Sequence, residues 1–333
     1  MATQYLGTLN SYDPLYDILL EQIYPDVKSP IIHVDKMSSK RVYKYTEEKS
    51  RISIIGKFFR LNDPQQDRLL RKKAEFDNLI KIRSYGFDKY PLYVVRPINR
   101  EEKIGLALTE EFISGKDLDY YLKKAVFENK KDVLKDKLSR LAKFLHEFHR
   151  KTSMNCNVDL DSVITYFQKI LNKLYIQTVI SKGDRLLYLK FMDKWINRGL
   201  LQNVKSVIIH GDATPTNFIF MESGNVVAID LERMRHSDSV FDVGMVCGEL
   251  KHAFMWRTGN SYASEPFISH FLKSYSSHFK NVARAFREIT FRNPFYMALT
   301  ELRIARNNYL DWNYRKRLAF EAMECLRWGL KLR

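Results

Sequence analysis

From Ile31 to about Phe59 the chain alternates β-branched or aromatic residues with polar ones. The segments IIHV, RVYKYT and RISIIGKFF are separated by polar turns, a pattern that predicts strands. DPQQDRLLRKKAEFDNLIKIRSYGF follows, with Leu69, Leu70, Lys73, Phe76 and Ile80 near helical spacing. Asp63 and Pro64 supply an N-cap and first-turn pair for that helix. YVVRPI and IGLALTEEFI then predict two more strands, so the first ~115 residues are expected to form a sheet with one inserted helix.

Beyond SGKD the period changes. Leu118 to Thr152 and Val163 to Gly199 predict long amphipathic helices; LSRLAKFLHEFHR places Leu138, Leu141, Leu145 and Phe148 on one face. Short strands surround HGDATPTNFIF, and the chain from Val240 onward is again mostly helical. No repeat or low-complexity linker interrupts this order. The expected fold is α+β and bilobal, with residues 1–112 as a small antiparallel-sheet lobe and 113–333 as a larger helical lobe. Residues 113–117 form a short hinge between them.

At 333 residues the chain is long enough for two lobes, and its 45% hydrophobic and 28% charged content is ordinary for a globular protein. Cys156, Cys247 and Cys325 lie far apart without paired spacing, which excludes a disulfide framework and a cysteine zinc site and fits a reducing compartment. The first residues lack the basic and apolar regions of a signal peptide, and no apolar stretch nears the roughly 20 residues that span a bilayer. A cytoplasmic location is expected.

The loop and short strands within the helical lobe carry the chemistry. Asp212 ends one strand and Asn217 precedes the next, so the loop between them folds both side chains toward one point. VVAIDLE reads as the second arm of a hairpin that delivers Asp230. Two carboxylates and a carboxamide are hard oxygen ligands suited to Mg²⁺, with room left for phosphate oxygens. Phosphoryl transfer needs the metal placed, the charge balanced and the acceptor hydroxyl oriented. Asp212 is therefore the candidate base, and Asn217 and Asp230 are the candidate metal ligands. The Asp-x-x-x-x-Asn spacing is that of a kinase catalytic loop.

In combination, HGDATPTNFIF, VVAIDLE and FDVGMVCGEL closely resemble the signature of the aminoglycoside phosphotransferase and choline kinase superfamily. The resemblance covers roughly residues 30 to 310, as motifs in order and, outside them, as element order. It implies a protein-kinase-like fold and an ATP- or GTP-dependent kinase that phosphorylates a hydroxyl of a small molecule. His210 and Asp242 would then be structural parts of the loop. A kinase-like small lobe also needs a strand lysine for the α/β-phosphates, braced by a helix glutamate; Lys57 and Glu75 are the candidates, with Glu47 and Glu48 as alternative partners. The turn DKMSSKRVY is expected to cover the phosphates through Ser38 and Ser39, with Lys40 or Arg41 adding charge, although it holds no glycine. Backbone groups from Glu110 to Phe112 would meet the base, so side-chain identity there carries little weight.

The acceptor is less legible. Candidates are Arg233, Arg235, Asp238, Glu249, Trp256, Tyr296, Glu301 and Arg303. Tyr296, Thr300, Arg303 and Asn307 share one helical face, a polar stripe that more often marks a solvated surface than a pocket. With 55 basic against 39 acidic residues, and a basic LERMRH after the metal segment, a neutral or anionic acceptor is favoured over a polycationic one. A quaternary ammonium would need an aromatic box, for which Trp256 and Tyr296 are available. Two alternatives stand beside the kinase. One is a non-catalytic nucleotide-binding protein of the same fold, suggested by the glycine-free turn. The other is a nucleic-acid or membrane-surface binder, suggested by the net charge of +16 and by NYRKRL; no recognisable nucleic-acid motif accompanies that charge.

Overall fold

The computed structural model describes residues 4–39, 41–60 and 66–332. They divide into two compact units, one of residues 1–115 with 227–233 and one of residues 116–226 with 234–333.

The first unit begins with β1 (Gln4–Thr8) and α1 (Pro14–Gln22), neither of which the strand and helix periods predict. The local chemistry for α1 is plain in retrospect. Asp13 caps it by accepting the Leu15 N–H at 2.9 Å, and Pro14 takes the first turn, where a missing N–H costs nothing. The expected strands follow as β2 (Ile32–Lys36), β3 (Val42–Glu47) and β4 (Ser53–Phe58). After α2 (Gln66–Ile82) come β5 (Asp88–Lys89), β6 (Leu92–Val94), β7 (Pro97–Glu101) and β8 (Leu106–Glu111). The Asp63–Pro64 capping pair lies outside the described residues. Six strands form one antiparallel sheet in the order β1-β2-β3-β4-β8-β7, so β4 is central, paired with β3 and β8. One face of this sheet packs Ile32, Val34, Tyr45 and Ile54 against Leu15 and Leu19 of α1.

In the second unit, β9 (Lys116–Asp117) leads into α3 (Leu118–Phe127) and α4 (Lys131–Lys151). The single helix expected over Leu118–Thr152 is thus two. Asn129 between them has φ +53°, a left-handed geometry that an α-helix cannot continue through. The stretch Val163–Gly199 is likewise split into α5 (Leu160–Ile176) and α6 (Lys182–Asn197). Thr178 lies at φ +57°, and Ser181 and Asp184 build a reciprocal capping box that starts α6. The chain continues through β10 (Val207–Ile209), β11 (Phe218–Phe220), β12 (Val226–Ala228), β13 (Arg235–Ser237), α7 (Val240–Thr258), α8 (Glu265–Ser276), α9 (Val282–Ala305) and α10 (Trp312–Gly329). β10 pairs with β13 and β11 with β9.

Helix α7 is buried on nearly every side, and α9 lies close against it because two glycines remove the intervening Cβ atoms. A Cβ at Gly244 would stand 2.9 Å from the Tyr296 carbonyl carbon, and one at Gly248 would stand 2.8 Å from Thr300 Cβ. The first obstruction is backbone, so relief requires moving a helix. In the interior of a helix Gly→Ala ordinarily helps, but here overpacking outweighs propensity. Gly244→Ala is expected to lower unfolding stability by about 1–3 kcal/mol, read from urea midpoints at unchanged slope. A variant as stable as wild type would show that α7 and α9 tolerate a wider separation.

Candidate functional site

In the first unit, β4 carries Lys57 and β8 carries Glu110. Ile55 pairs with Glu110 and Lys57 with Leu108, so the lysine and the glutamate are diagonal neighbours on one sheet face. Helix α2 adds Glu75. Lys57 Nζ lies 2.6 Å from Glu75 Oε1 and 3.1 Å from Glu110 Oε1, and all three residues are buried. The alternative brace Glu47 is engaged elsewhere, accepting the Ser50 N–H at 2.5 Å. Glu48 is engaged with His33 at 3.3 Å.

Burial alone would push the Lys57 ammonium down; the charges of Glu110, Glu75 and Asp230 hold it well above the usual lysine range instead. Burial pushes Glu75 and Glu110 up, and Lys57 opposes both shifts. One ammonium faces three carboxylates, an excess of negative charge that a buried site relieves by protonation or by a further cation. Asp230 sits at φ +63°, in the left-handed region that non-glycine residues adopt at a cost. Its flanks are tied down. Asn78 Nδ2 donates to the Leu231 carbonyl at 2.9 Å, and the Val95 N–H donates to the Ala228 carbonyl at 3.1 Å.

The turn after β2 leaves Ser38 and Ser39 exposed, and Lys40 lies outside the described residues. Without a glycine the turn closes through Arg41, which takes φ +62° while its carbonyl accepts the Phe58 N–H at 2.9 Å. After β8, Phe112 is exposed, with Lys44 Nζ 4.2 Å from its ring centre. The side chains of this connector matter more than their backbone role implies. Besides Glu110, Glu111 Oε1 accepts from the Tyr93 hydroxyl at 2.5 Å and from the Arg96 N–H at 2.7 Å.

In the second unit, β10 and β11 hold the loop His210–Asn217 at both ends. Gly211 turns the chain at φ +75°. Asn217 Nδ2 donates to the Asp212 carbonyl at 2.9 Å, which commits the amide nitrogen to the loop and leaves Oδ1 as an oxygen donor. Beneath, the fully buried Asp242 carboxylate accepts the His210 N–H at 2.7 Å and the Gly211 N–H at 2.9 Å. His149 joins it, with Nε2 3.1 Å from Asp242 Oδ2 and Nδ1 2.8 Å from the Tyr275 hydroxyl. Burial would raise the Asp242 carboxyl; His149, the charge near His210 and the Gly211 amide outweigh it and hold the group below the usual carboxylate range. His149 and Tyr275 escape sequence reasoning. Their signal is a histidine on the apolar face of α4, which by itself usually means core.

The polar stripe on α9 is not a solvated face. Tyr296 and Thr300 are buried, and Arg303 reaches Asp212 Oδ1 through Nη2 while its Nη1 lies 3.0 Å from Met245 Sδ. Burial works against the Arg303 charge, but Asp212 keeps it firmly protonated. Glu249 stands in the same field. Burial pushes its carboxyl up to about 7, with Arg303 opposing and Asp212 and Asp119 adding to the rise. Of the other acceptor candidates, Asp238 pairs with Arg292 at 2.9 Å, Glu301 is buried 3.8 Å from Lys251, and Trp256 is exposed with its ring 4.6 Å from that of Tyr314. Among the described residues no group of three His, Cys, Asp or Glu side chains forms a metal cluster.

The profile of the phosphotransferase enzyme family matches residues 34–284. No curated protein matches the sequence. Among solved structures, an ethanolamine kinase from Plasmodium vivax is similar at 13% identity and a TM-score of 0.62, over 95% of this chain and 89% of that one. Choline kinase LicA from Streptococcus pneumoniae is similar at 17% identity and 0.55, over 94% and 99%. An ADP-bound aminoglycoside phosphotransferase, APH(2'')-Ib, is similar at 16% identity and 0.55, over 96% and 99%. At these identities the likeness is one of fold, and it agrees with the expected α+β kinase-like architecture.

The raised Glu249 carboxyl has a consequence for stability. Its proton is held more tightly in the folded chain than in the unfolded one, so its contribution falls as pH rises from about 4.5 through about 7. Glutamine cannot lose that proton. The melting temperature of Glu249→Gln relative to wild type is therefore expected to climb between roughly pH 5 and pH 8. A constant difference across that range would mean that Glu249 is ionised at an ordinary pKa.

Proposed function

The chain belongs to the phosphotransferase enzyme family and is a phosphotransferase acting on hydroxyl groups of small molecules; from that premise we propose how its residues divide the work. The donor is ATP or GTP. Lys57, braced by Glu75 and Glu110, contacts the α/β-phosphates, the turn with Ser38 and Ser39 lies over them, and the backbone from Glu110 to Phe112 meets the base. Asp212 orients the acceptor hydroxyl and accepts its proton. His210 and Asp242 keep the loop in shape. Mg²⁺ suits the oxygens available: the Asp230 carboxylate and the Asn217 Oδ1, with phosphate oxygens and water completing its shell. A bound magnesium ion would neutralise charge developing on the transferred phosphoryl group.

The observation that carries this reading is the order and company of the polar groups. A lysine buried among carboxylates that include Asp230, and a loop whose Asp212 and Asn217 are fixed by a buried aspartate, are more than folding requires. They are what positioning a nucleotide, a metal and a hydroxyl requires. The same groups weigh against the non-catalytic alternative, since a protein that only binds nucleotide has no use for a fixed Asp212.

The acceptor is neutral or anionic. Arg303, tied directly to Asp212, sets a permanent positive charge beside the reacting hydroxyl. A polycation would be repelled there, whereas a carboxylate or phosphate on the acceptor would gain a partner.

Two measurements test this. Mg·ATP or Mg·GTP is expected to raise the melting temperature of the wild type by several degrees, and Asp230→Ala is expected to lose most of that shift. No shift in either protein would sink the nucleotide assignment. In a screen of hydroxyl compounds with nucleotide turnover as the readout, sugars or hydroxy acids are expected to be phosphorylated, with Asp212→Asn slower by a factor of about 10²–10⁴. Efficient turnover of an aminoglycoside would overturn the charge argument, and turnover of choline would direct attention to Trp256 and Tyr314 instead.

A further inference from the structure

The net charge of +16 and the basic NYRKRL segment play no part in phosphoryl transfer as derived above. The structure places NYRKRL on α10, whose two faces differ sharply. Leu318, Ala319, Ala322 and Leu326 are buried against the rest of the second unit. The opposite face bears Trp312, Phe320 and Trp328, which are 45%, 62% and 60% exposed. They recur every eight residues, so each lies about 12 Å along the helix and about 80° around it from the next, and together they span an arc of about 160° on its exposed side. Lys316, Arg317 and Arg327 stand between them and Lys331 just past the helix end, all exposed, with Lys316 Nζ 4.2 Å from the Trp312 ring centre and Lys331 Nζ 4.0 Å from that of Trp328. The acid on this side, Glu324, is partly buried and paired with Arg327 at 2.9 Å.

One exposed aromatic residue on a protein surface is ordinary. Three spread over one exposed arc of a helix and accompanied by four cations make an amphipathic surface of a different kind, with the chemistry of a helix that lies in a lipid interface. Trp and Phe partition to the boundary of headgroups and acyl chains, and lysine and arginine meet anionic headgroups around them. Beside the C-terminal end of α10 lies a groove of about 520 Å³ lined by Phe191, Lys194, Arg198, Arg327 and Leu330. It places further cations next to apolar walls, and so extends the same pairing of charge and apolar surface onto α6. Single-stranded nucleic acid also favours aromatics and cations, but it stacks successive bases within a groove. Rings about 12 Å apart on a convex helix offer no such path.

We propose that the outer face of α10 is a membrane-surface docking site: Trp312, Phe320 and Trp328 insert into the interface of an anionic bilayer while Lys316, Arg317, Arg327 and Lys331 pair with lipid phosphates. Among the described residues no helix is long and apolar enough to cross a membrane, so the contact is peripheral. The proposal stands on α10 alone and is independent of the kinase reading.

Full-length protein is sedimented with vesicles of phosphatidylcholine alone and of phosphatidylcholine mixed with phosphatidylglycerol, with tryptophan emission recorded in parallel. Binding with a blue shift is expected on the anionic vesicles alone and weakens as salt is added. The triple variant Trp312→Ser, Phe320→Ser, Trp328→Ser and the charge reversal Lys316→Glu, Lys331→Glu are each expected to bind at least tenfold more weakly. Both change exposed side chains, so unaltered melting temperatures check that the fold persists, and Trp256→Phe is expected to bind like wild type. Absence of vesicle binding overturns the proposal. So does binding by both variants as tight as that of the wild type, retention of a single-stranded polyuridine in place of vesicles, or dimerisation that the triple variant abolishes.

Discussion

A fully buried carboxylate, Asp242, organises the loop His210–Asn217. Its two oxygens accept the amides of His210 and Gly211 and share His149, whose other nitrogen is held by Tyr275. A buried carboxylate is costly unless every lone pair is engaged. Here the engagement is what fixes the loop. Two consecutive amides can meet one carboxylate because Gly211 takes a left-handed turn, and that turn determines where Asp212 begins. The Asn217 amide then closes the loop on the Asp212 carbonyl from the far side. Asp212 thus lies within a span anchored at both ends, and α4, α7 and α8 supply the anchor. This explains why so much of the helical unit is committed to holding eight residues.

The two units handle charge in opposite ways. Around Lys57 carboxylates outnumber cations, an excess that a shared proton or an added cation would relieve. Around Asp212 the balance is local and nearly complete, because Arg303 supplies the counter-charge from α9. One site asks for a metal or protons; the other arrives already paired. On the proposed reading, an acceptor beside Asp212 meets an arginine already in place.

Sequence periodicity reveals the strands of the first unit and the amphipathic character of the helical unit, and the motif spacing singles out Asp212, Asn217, Asp230 and Asp242 as candidates. What it misses has physical reasons. The breaks at Asn129 and Thr178 interrupt helices whose apolar period runs on across them, so the period alone shows no end. β1 escapes because it is an edge strand exposed along most of its length, and α1 because it is short. The face of α9 reads as solvated because polar residues on a helix usually are. Its burial comes from Gly244 and Gly248 on α7, which bring the helices close enough to enclose Tyr296 and Thr300. Arg303 becomes legible only when that approach is known, since one helix pattern does not say what the neighbouring helix permits. Glu110 is a similar case. On a connector it looks interchangeable, and only the diagonal register between β4 and β8 sets it against Lys57.

Net charge is the least local of these signals, and the structure shows why it misleads when read whole. Lys57, Lys251 and Arg303 lie inside the protein against carboxylates, where their charge serves folding or chemistry and is not seen from outside. Many lysines of α3 and α4 are paired with acids three or four residues away and project little net field. On the outer face of α10, by contrast, cations stand with aromatic neighbours and almost no acid. Attraction to anions depends on what surrounds each cation, because paired charges cancel within a Debye length of about 10 Å. The surplus of basic residues therefore has a location, and that location is remote in sequence from every group assigned to phosphoryl transfer.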